Sequence, residues 1–158
     1  MRGKIIMNTQ NSTVTKLAET ALMAALCYVS FTFLQIKIPV PGGDATSIHI
    51  GNAFCVLAAL LIGGVYGGLS GAIGMGIADL MDPVYITGAP KTFVLKFCIG
   101  LITGLVAHKY AKINESTDKA YVFKWSLIAS IAGLAFNVVA DPIVGYFYKQ
   151  YILGQPQE

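Results

Sequence analysis

The sequence has few charged residues. Only 12% of its 158 residues are Asp, Glu, Lys or Arg, whereas a soluble domain carries about a quarter. The stretch Ala45–Ala78 contains none of them, and 55% of the chain is hydrophobic. This shortage argues against an ordinary soluble domain and indicates that lipid is the solvent. No basic patch interleaved with aromatic residues predicts nucleic-acid binding. We therefore interpret the basic residues behind the net charge of +3 as residues of loops that flank the membrane.

The sequence also lacks the motifs of several enzyme and metal-binding classes. Cys27, Cys55 and Cys98 are far apart in apolar runs and form no CxxC pattern, so we interpret them as small buried side chains and expect no metal site. HExxH, GxSxG and GxxxxGK[ST] are absent, which argues against an enzyme and against ATP binding by this chain, and no cofactor is expected. A carboxylate pair, Asp79 and Asp82, leaves an intramembrane enzyme as a remote alternative.

The apolar stretches predict an all-α fold, a polytopic membrane helix bundle in a single domain. As one helix, the 34 residues of Ala45–Ala78 would be about 51 Å long, against a hydrocarbon core of about 30 Å. They must therefore contain parts of two helices, separated at the glycine-rich "GGVYGG" that begins at Gly63. Five spans are predicted, with a kink or break at Pro142, at about 17–36, 47–63, 66–82, 91–108 and 122–152.

The distribution of basic residues predicts a cytoplasmic N-terminus. With that orientation, inner segments hold seven Lys and Arg residues and outer segments hold three, which agrees with the positive-inside rule. Lys96 lies within a span. The inner set is Arg2, Lys4, Lys16, Lys109, Lys112, Lys119 and Lys124, and the outer set is Lys37, Lys91 and Lys149.

Polar residues at membrane depth are the candidate binding residues, because such residues are costly and usually face a cavity or each other. Four predicted helices place them at one level near the outer surface, with His49 and Asp82 at the mouth. An ion pair between Asp79 and Lys96 that only joins helices is one interpretation, but it explains two residues. A pocket that opens to the outside explains all five polar residues. The inner halves of the predicted helices contain no continuous row of polar residues, which argues against an ion channel. The set is Asn52, Asp79, Lys96, Asn137 and Asp141, with Tyr85 as a possible stacking wall.

Small residues recur at spacings of four, which lets helices approach closely in lipid. For the glycines we predict packing within the chain. The alanines of helix 1 leave two interpretations open, a neighbouring helix of this chain or the helix of a partner. The glycines are Gly63, Gly67, Gly71, Gly64, Gly68, Gly100 and Gly104, and the alanines are Ala18, Ala21 and Ala25.

Three blocks, "ETALMAALCYVSFTFLQIKIPVPGG", "IHIGNAFCVLAALLIGGVYGGLSGAIGMGIADLMD" and "YITGAPKTFVLKFCIGLITGLVAHK", resemble the substrate-binding (S) component of energy-coupling factor (ECF) transporters. The resemblance covers about 16–152 and is strongest to the riboflavin-type branch, which includes proteins assigned to pyridoxine and hydroxymethylpyrimidine. It implies a vitamin pocket near the outer surface, closed by the loops Lys37–Ile48 and Asp82–Pro90. It also implies that the Ala21-x-x-x-Ala25 motif docks onto a coupling transmembrane protein, that two cytoplasmic ATPases drive transport, and that the S component topples in the membrane.

The sequence thus predicts a substrate-binding subunit of an ECF-type importer in the cell membrane. Pyridoxine or hydroxymethylpyrimidine is the favoured cargo and riboflavin the next, because the polar groups are few. The family has six helices and this sequence ends after five, so the last helix is expected to be missing, with an apolar groove exposed beside helices 1 and 5. The alternatives are a small polytopic assembly protein and, less favoured, an intramembrane enzyme.

Overall fold

The computed structural model describes residues 2–39 and 45–154, which form a bundle of α-helices with one short β-hairpin. A 3-10 turn, Ile86–Gly88, precedes α4, and π-helical turns at Leu105–Tyr110 and Tyr148–Ile152 extend α4 and α5. The α-helices are α1 Arg2–Phe33, α2 Gly51–Ile62, α3 Gly64–Met81, α4 Ala89–Gly104 and α5 Lys119–Phe147, and the strands are β1 Gln35–Pro39 and β2 Ala45–His49.

Three helical segments in the described part of the chain are long and apolar enough to cross a membrane. They are Thr13–Phe33, Ile86–Tyr110 and Lys119–Ile152. The helix α2 has only 12 residues and is about 18 Å long, shorter than a hydrocarbon core of about 30 Å. The chain is therefore an all-α membrane bundle in which α2 is shorter than the span predicted for it.

The β-hairpin explains why α2 is shorter than its predicted span and why α1 ends early. The helix α1 ends at Phe33 rather than near residue 36, and β1 pairs antiparallel with β2 in the register Gln35↔His49. Apolar and polar residues alternate in "QIKI", a strand pattern, and Pro39 cannot continue a helix interior. The loop Lys37–Ile48 named from the resemblance falls largely on this hairpin, although its residues 40–44 lie outside the described part.

A single glycine separates α2 from α3. Gly63 has φ +97°, a left-handed conformation that glycine adopts without the steric cost of a Cβ atom. The helix α3 resumes directly at Gly64. The break is therefore one residue long and lies at the start of the predicted glycine turn rather than across it.

The helix α3 lies at the centre of the bundle and packs against α1, α2 and α4. A Cβ added at Gly100 would overlap the backbone of Gly68, and one at Gly104 would overlap that of Gly64. On another face of α3, a Cβ at Gly67 would overlap the backbone of Ala59 in α2. The helices thus touch backbone to backbone, which confirms the prediction that the glycines pack helices within the chain.

The helix α5 continues through Pro142 without a break in its helical assignment. It packs mainly on α4 and buries a narrow stripe that includes Ala129, Gly133 and Asn137. Most of its large apolar side chains are exposed, as are several on α1. Helices that face lipid expose the same kinds of side chain, so the groove expected beside helices 1 and 5 stays a prediction.

Candidate functional site: a polar cluster beside the hairpin

Lys96 of α4 carries a buried positive charge. Only 6% of the residue is exposed, and its Nζ donates a 3.4 Å hydrogen bond to Oδ1 of the buried Asn137 on α5. Burying an ammonium is costly unless several acceptors surround it. A single neutral amide at 3.4 Å leaves most of its donor capacity available to a further group.

A second lysine, Lys91, lies in the first turn of α4, closer to the hairpin. Its Nζ forms a 2.8 Å ion pair with Asp141 Oδ1. The two polar residues predicted on α5, Asn137 and Asp141, therefore contact two different lysines. Together they fix the C-terminal half of α5 against α4.

Asp79 of α3 is 3% exposed. The hydroxyl of Thr92 hydrogen-bonds its carboxylate, and the charges of Lys96 and Lys91 lie within electrostatic range. Its Oδ1 has no hydrogen-bond partner. Among the described residues the ion pair of this cluster joins Lys91 to Asp141, and Asp79 and Lys96 form none, so the structure does not support the simple helix-joining interpretation.

Several other buried polar atoms near the hairpin also have no hydrogen-bond partner. They are Oδ1 of Asn52 at the start of α2, Nδ1 of His49 at the end of β2, Oγ1 of Thr32 at the end of α1 and Oε1 of Gln35 at the start of β1. Because a buried polar group without a partner costs free energy, native proteins rarely contain many of them together. Their clustering makes this end of the bundle the candidate site.

A cavity of about 490 Å³ is lined by two of these residues, Thr32 and Gln35, whereas Asn52, His49, Asp79 and Lys96 are not part of its lining. Phe31, Thr32 and Gln35 line one side, and Ala78 and Asp82 from the end of α3 line the other. The Phe31 ring packs edge-on against His49 at 4.5 Å between centroids and against Tyr85 at 6.2 Å. Aromatic rings thus border the polar atoms, a combination typical of small-molecule sites.

His49 lies outside the membrane-crossing helices and has a perturbed imidazole. Its pKa is lowered from 6.5 to about 4, mainly by burial and in part by the charge of Lys96, while Asp141 opposes the shift. The ring is therefore neutral near pH 7. Its buried Nδ1 is a hydrogen-bonding atom beside the cavity.

The loop Asp82–Pro90, implied as a lid by the resemblance, forms a hydrogen bond within itself and another with the π-helical turn that follows α5. Asp82 Oδ1 accepts a 3.0 Å hydrogen bond from the amide of Val84. The Tyr148 hydroxyl donates a 2.8 Å hydrogen bond to the Thr87 carbonyl. The loop therefore has a defined conformation over the end of the bundle.

Next to the cluster the bundle has a closed core of mostly apolar side chains, which also buries Ser70 and Thr103. Cys27, Cys55, Met75 and Ile99 are all 0% exposed. The Cys55 thiol donates to the Lys96 carbonyl at 3.5 Å. Cys27 and Cys55 are thus buried as predicted, whereas Cys98 is half-buried.

Sequence reasoning placed Asn52, Asp79, Lys96, Asn137 and Asp141 at one end of the bundle, where the structure also has them, but it missed several neighbours. Lys91 was counted as a loop lysine, although it pairs with Asp141. Thr92, Thr32 and Gln35 carry no charge and lie near helix ends, where polar residues are ordinary. The one available signal was that Thr32 is a polar residue within the charge-free run of helix 1.

The alanine stripe of α1 takes no part in this packing. Ala18, Ala21 and Ala25 are all exposed, while Ala24 and Cys27 on the other face of α1 are buried. The packing of the described chain therefore leaves the stripe available to another helix.

Comparison with known proteins gives a family. A family model described as "ECF-type riboflavin transporter, S component" matches residues 11–158. A protein of Pyrococcus woesei described as "Uncharacterized protein in gap 3'region" is 32% identical over 76 residues, which are 48% of this chain and 49% of that protein, so the chain spans about half the length of that relative. No solved structure matches significantly. Because the family match covers nearly the whole chain, this membrane protein belongs to the ECF-type riboflavin transporter S component family.

Proposed function

We propose that the polar cluster beside the hairpin captures a heteroaromatic B vitamin or precursor for an ECF-type importer. The observation that carries the proposal is the group of buried polar atoms without partners, contributed by α1, α2, α3 and β2. A bound vitamin with hydroxyl and ring-nitrogen groups would supply those partners. The proposed binding residues are Asn52, Asp79, Tyr85, Lys96, Asn137 and Asp141, to which the geometry adds His49.

The residues have complementary roles in this proposal. Asp79 Oδ1 accepts a hydrogen bond from a hydroxyl or a ring N–H, and Lys96 donates to a carbonyl, ring nitrogen or oxygen. Asn52 can both donate and accept. Phe31 and Tyr85 supply aromatic surface for a flat ring.

Riboflavin becomes the first ligand to test. The sequence favoured a single ring because few polar groups were visible, but Thr32 and Gln35 add two unpartnered atoms beside a cavity of about 490 Å³. A cavity of this size is within the ordinary range for small-molecule sites. The description of the family also names riboflavin, with pyridoxine and hydroxymethylpyrimidine as the alternatives.

The same proposal assigns orientation and partners. The excess of basic residues near the end opposite the hairpin favours a cytoplasmic N-terminus and an outward-facing pocket in the cell membrane. The exposed stripe Ala18, Ala21 and Ala25 would dock onto the coupling transmembrane protein, since small residues allow close helix contact. Two cytoplasmic ATPases would supply the energy.

Native mass spectrometry of the purified chain, followed by thermal-shift titration with riboflavin, pyridoxine and hydroxymethylpyrimidine, tests the proposal. We expect stabilisation by one of them and its loss in Asp79→Asn, which replaces one carboxylate oxygen with a donor. Asp118→Asn, a helix cap at the other end, is the matched control. A shift that survives Asp79→Asn would remove this aspartate from the site. No shift with any vitamin would favour an assembly protein instead.

A further inference from the structure

A second cavity lies at the end of the bundle opposite the hairpin. It has a volume of about 540 Å³ and lies between α1, the α2–α3 break and the π-helical end of α4. Its charged lining consists of Lys16 and Lys109 with one acid, Glu19. The net formal charge of that lining is +1, so the cavity attracts an anion of low charge.

His108 adds a buried polar atom without a partner to this cavity. Its Nε2 lies 3.0 Å from the Ala59 carbonyl oxygen, and because a carbonyl only accepts, Nε2 must carry the hydrogen. The other ring nitrogen, Nδ1, is buried and has no partner. It accepts a hydrogen bond when the ring is neutral and donates one when the ring is protonated.

The N-terminus of α3 forms another wall. Gly63 precedes α3 without a side-chain cap, and Gly63, Gly64 and Val65 line the cavity. The first amides of a helix have no intrahelical acceptor and form the positive end of the helix dipole. A Cβ at Gly63 would meet nothing within 4 Å, so a ligand can approach the backbone closely there, an arrangement suited to a phosphate group.

The rim of the cavity is apolar and exposed. Leu61, Val65 and Leu105 line it and are 64%, 53% and 46% exposed, so the rim is continuous with the lipid-facing surface. A free phosphate would use only the basic interior. An amphiphile with a phosphate head and hydrocarbon tails matches both the interior and the rim.

We propose that this cavity binds the headgroup of an anionic phospholipid. The phosphodiester lies between Lys16, Lys109 and the N-terminus of α3, and the acyl chains follow the exposed leucines of the rim. Glu19 limits the charge of the lining and so favours a singly charged phosphodiester over a more highly charged phosphate. The site is separate from the vitamin cluster, and its test does not depend on vitamin binding.

The test is native mass spectrometry of the full chain in detergent with equimolar phosphatidylglycerol and phosphatidylcholine. A surface lysine changes binding of an anionic lipid by about fivefold, so Lys16→Gln combined with Lys109→Gln should abolish a clear preference for phosphatidylglycerol. The matched control is Lys119→Gln with Lys124→Gln, which removes the same charge at the same end of the bundle from exposed residues outside the cavity. Lys16→Arg with Lys109→Arg should retain the preference.

Three results would overturn the proposal. One is equal retention of the two lipids by the unmodified chain. Another is an equal loss of phosphatidylglycerol in the control pair, which would show a general effect of surface charge. The third is binding of inorganic phosphate at millimolar concentration without any preference for phosphatidylglycerol, which would assign the cavity to a free anion.

Discussion

Replacing Lys96 with methionine separates a binding role from a structural one. The methionine side chain has a similar length, so Lys96→Met removes the charge without leaving the large void of Lys96→Ala. Lys96 is 6% exposed, and its Nζ donates a hydrogen bond to Asn137. A residue that contacts the vitamin should be needed for affinity but not for stability.

The magnitudes support that separation. Removing a buried amine relieves its desolvation penalty, and because Lys96 forms no ion pair among the described residues, Lys96→Met leaves no ion-pair partner behind. Leaving the Asn137 oxygen without its donor costs about 1–3 kcal/mol, so the two effects oppose each other. A hydrogen bond from a charged donor to the ligand contributes about 1.5–3 kcal/mol, and its loss should weaken binding roughly 10- to 150-fold.

Isothermal titration calorimetry with the stabilising vitamin and thermal melting followed by circular dichroism measure the two quantities. Lys119→Met, an exposed lysine at the other end, serves as the control and should change neither. Wild-type affinity in Lys96→Met would refute the contact. A large fall in melting temperature with unchanged affinity would show that Lys96 only holds the helices together.

Three further predictions test other parts of the molecule. Ala21→Trp should preserve vitamin binding but prevent co-purification with the coupling protein and uptake, because indole blocks close helix contact, whereas Phe123→Trp on α5 should permit both. The folded chain should lose stability between about pH 6.5 and 4, since unfolded His49 takes up a proton near 6.5 and folded His49 only near 4; melting curves of His49→Gln should depend less on pH across that window. A Cβ at Gly76 would lie 3.9 Å from the Cβ of Phe93, within the range for a disulfide. Gly76→Cys with Phe93→Cys should therefore link α3 to α4 on oxidation and leave uptake unchanged. Uptake that stops on oxidation and returns with reductant would contradict this prediction.

The sequence predicted the bundle from two physical constraints, the length of a membrane span and the need of small residues at close helix contacts. Those constraints act locally, so the break at Gly63 and the glycine contacts of α3 were accessible. The hairpin was not accessible from the sequence. Its strands pair residues 35–39 with 45–49, and the segment between them, which contains "PGGD", is equally typical of a loop. The early end of α1 follows from that pairing and not from the helix propensity of its last residues.

The site was accessible only in part. The depth of each residue along its helix placed Asp79, Lys96 and Asn137 at one level. Depth alone does not determine which neighbouring helix each residue faces. Consequently the sequence did not assign the partners that the structure shows: Asp141 pairs with Lys91 and Asp79 is hydrogen-bonded by Thr92. Which uncharged polar atoms stay without a partner depends on the packing of all the helices, and a single sequence does not specify it.

The closed middle of the bundle limits how a captured vitamin can reach the other side. Met75 and Ile99 are completely buried, so these side chains close the interior of the described chain at their level. Opening a path there would require α3 and α4 to separate, yet these helices meet at Gly68 with Gly100 and at Gly64 with Gly104. Contacts between backbones extend over much of their length and would be lost together. Movement of the bundle as one body avoids that loss, which is why a disulfide between α3 and α4 should leave uptake unchanged.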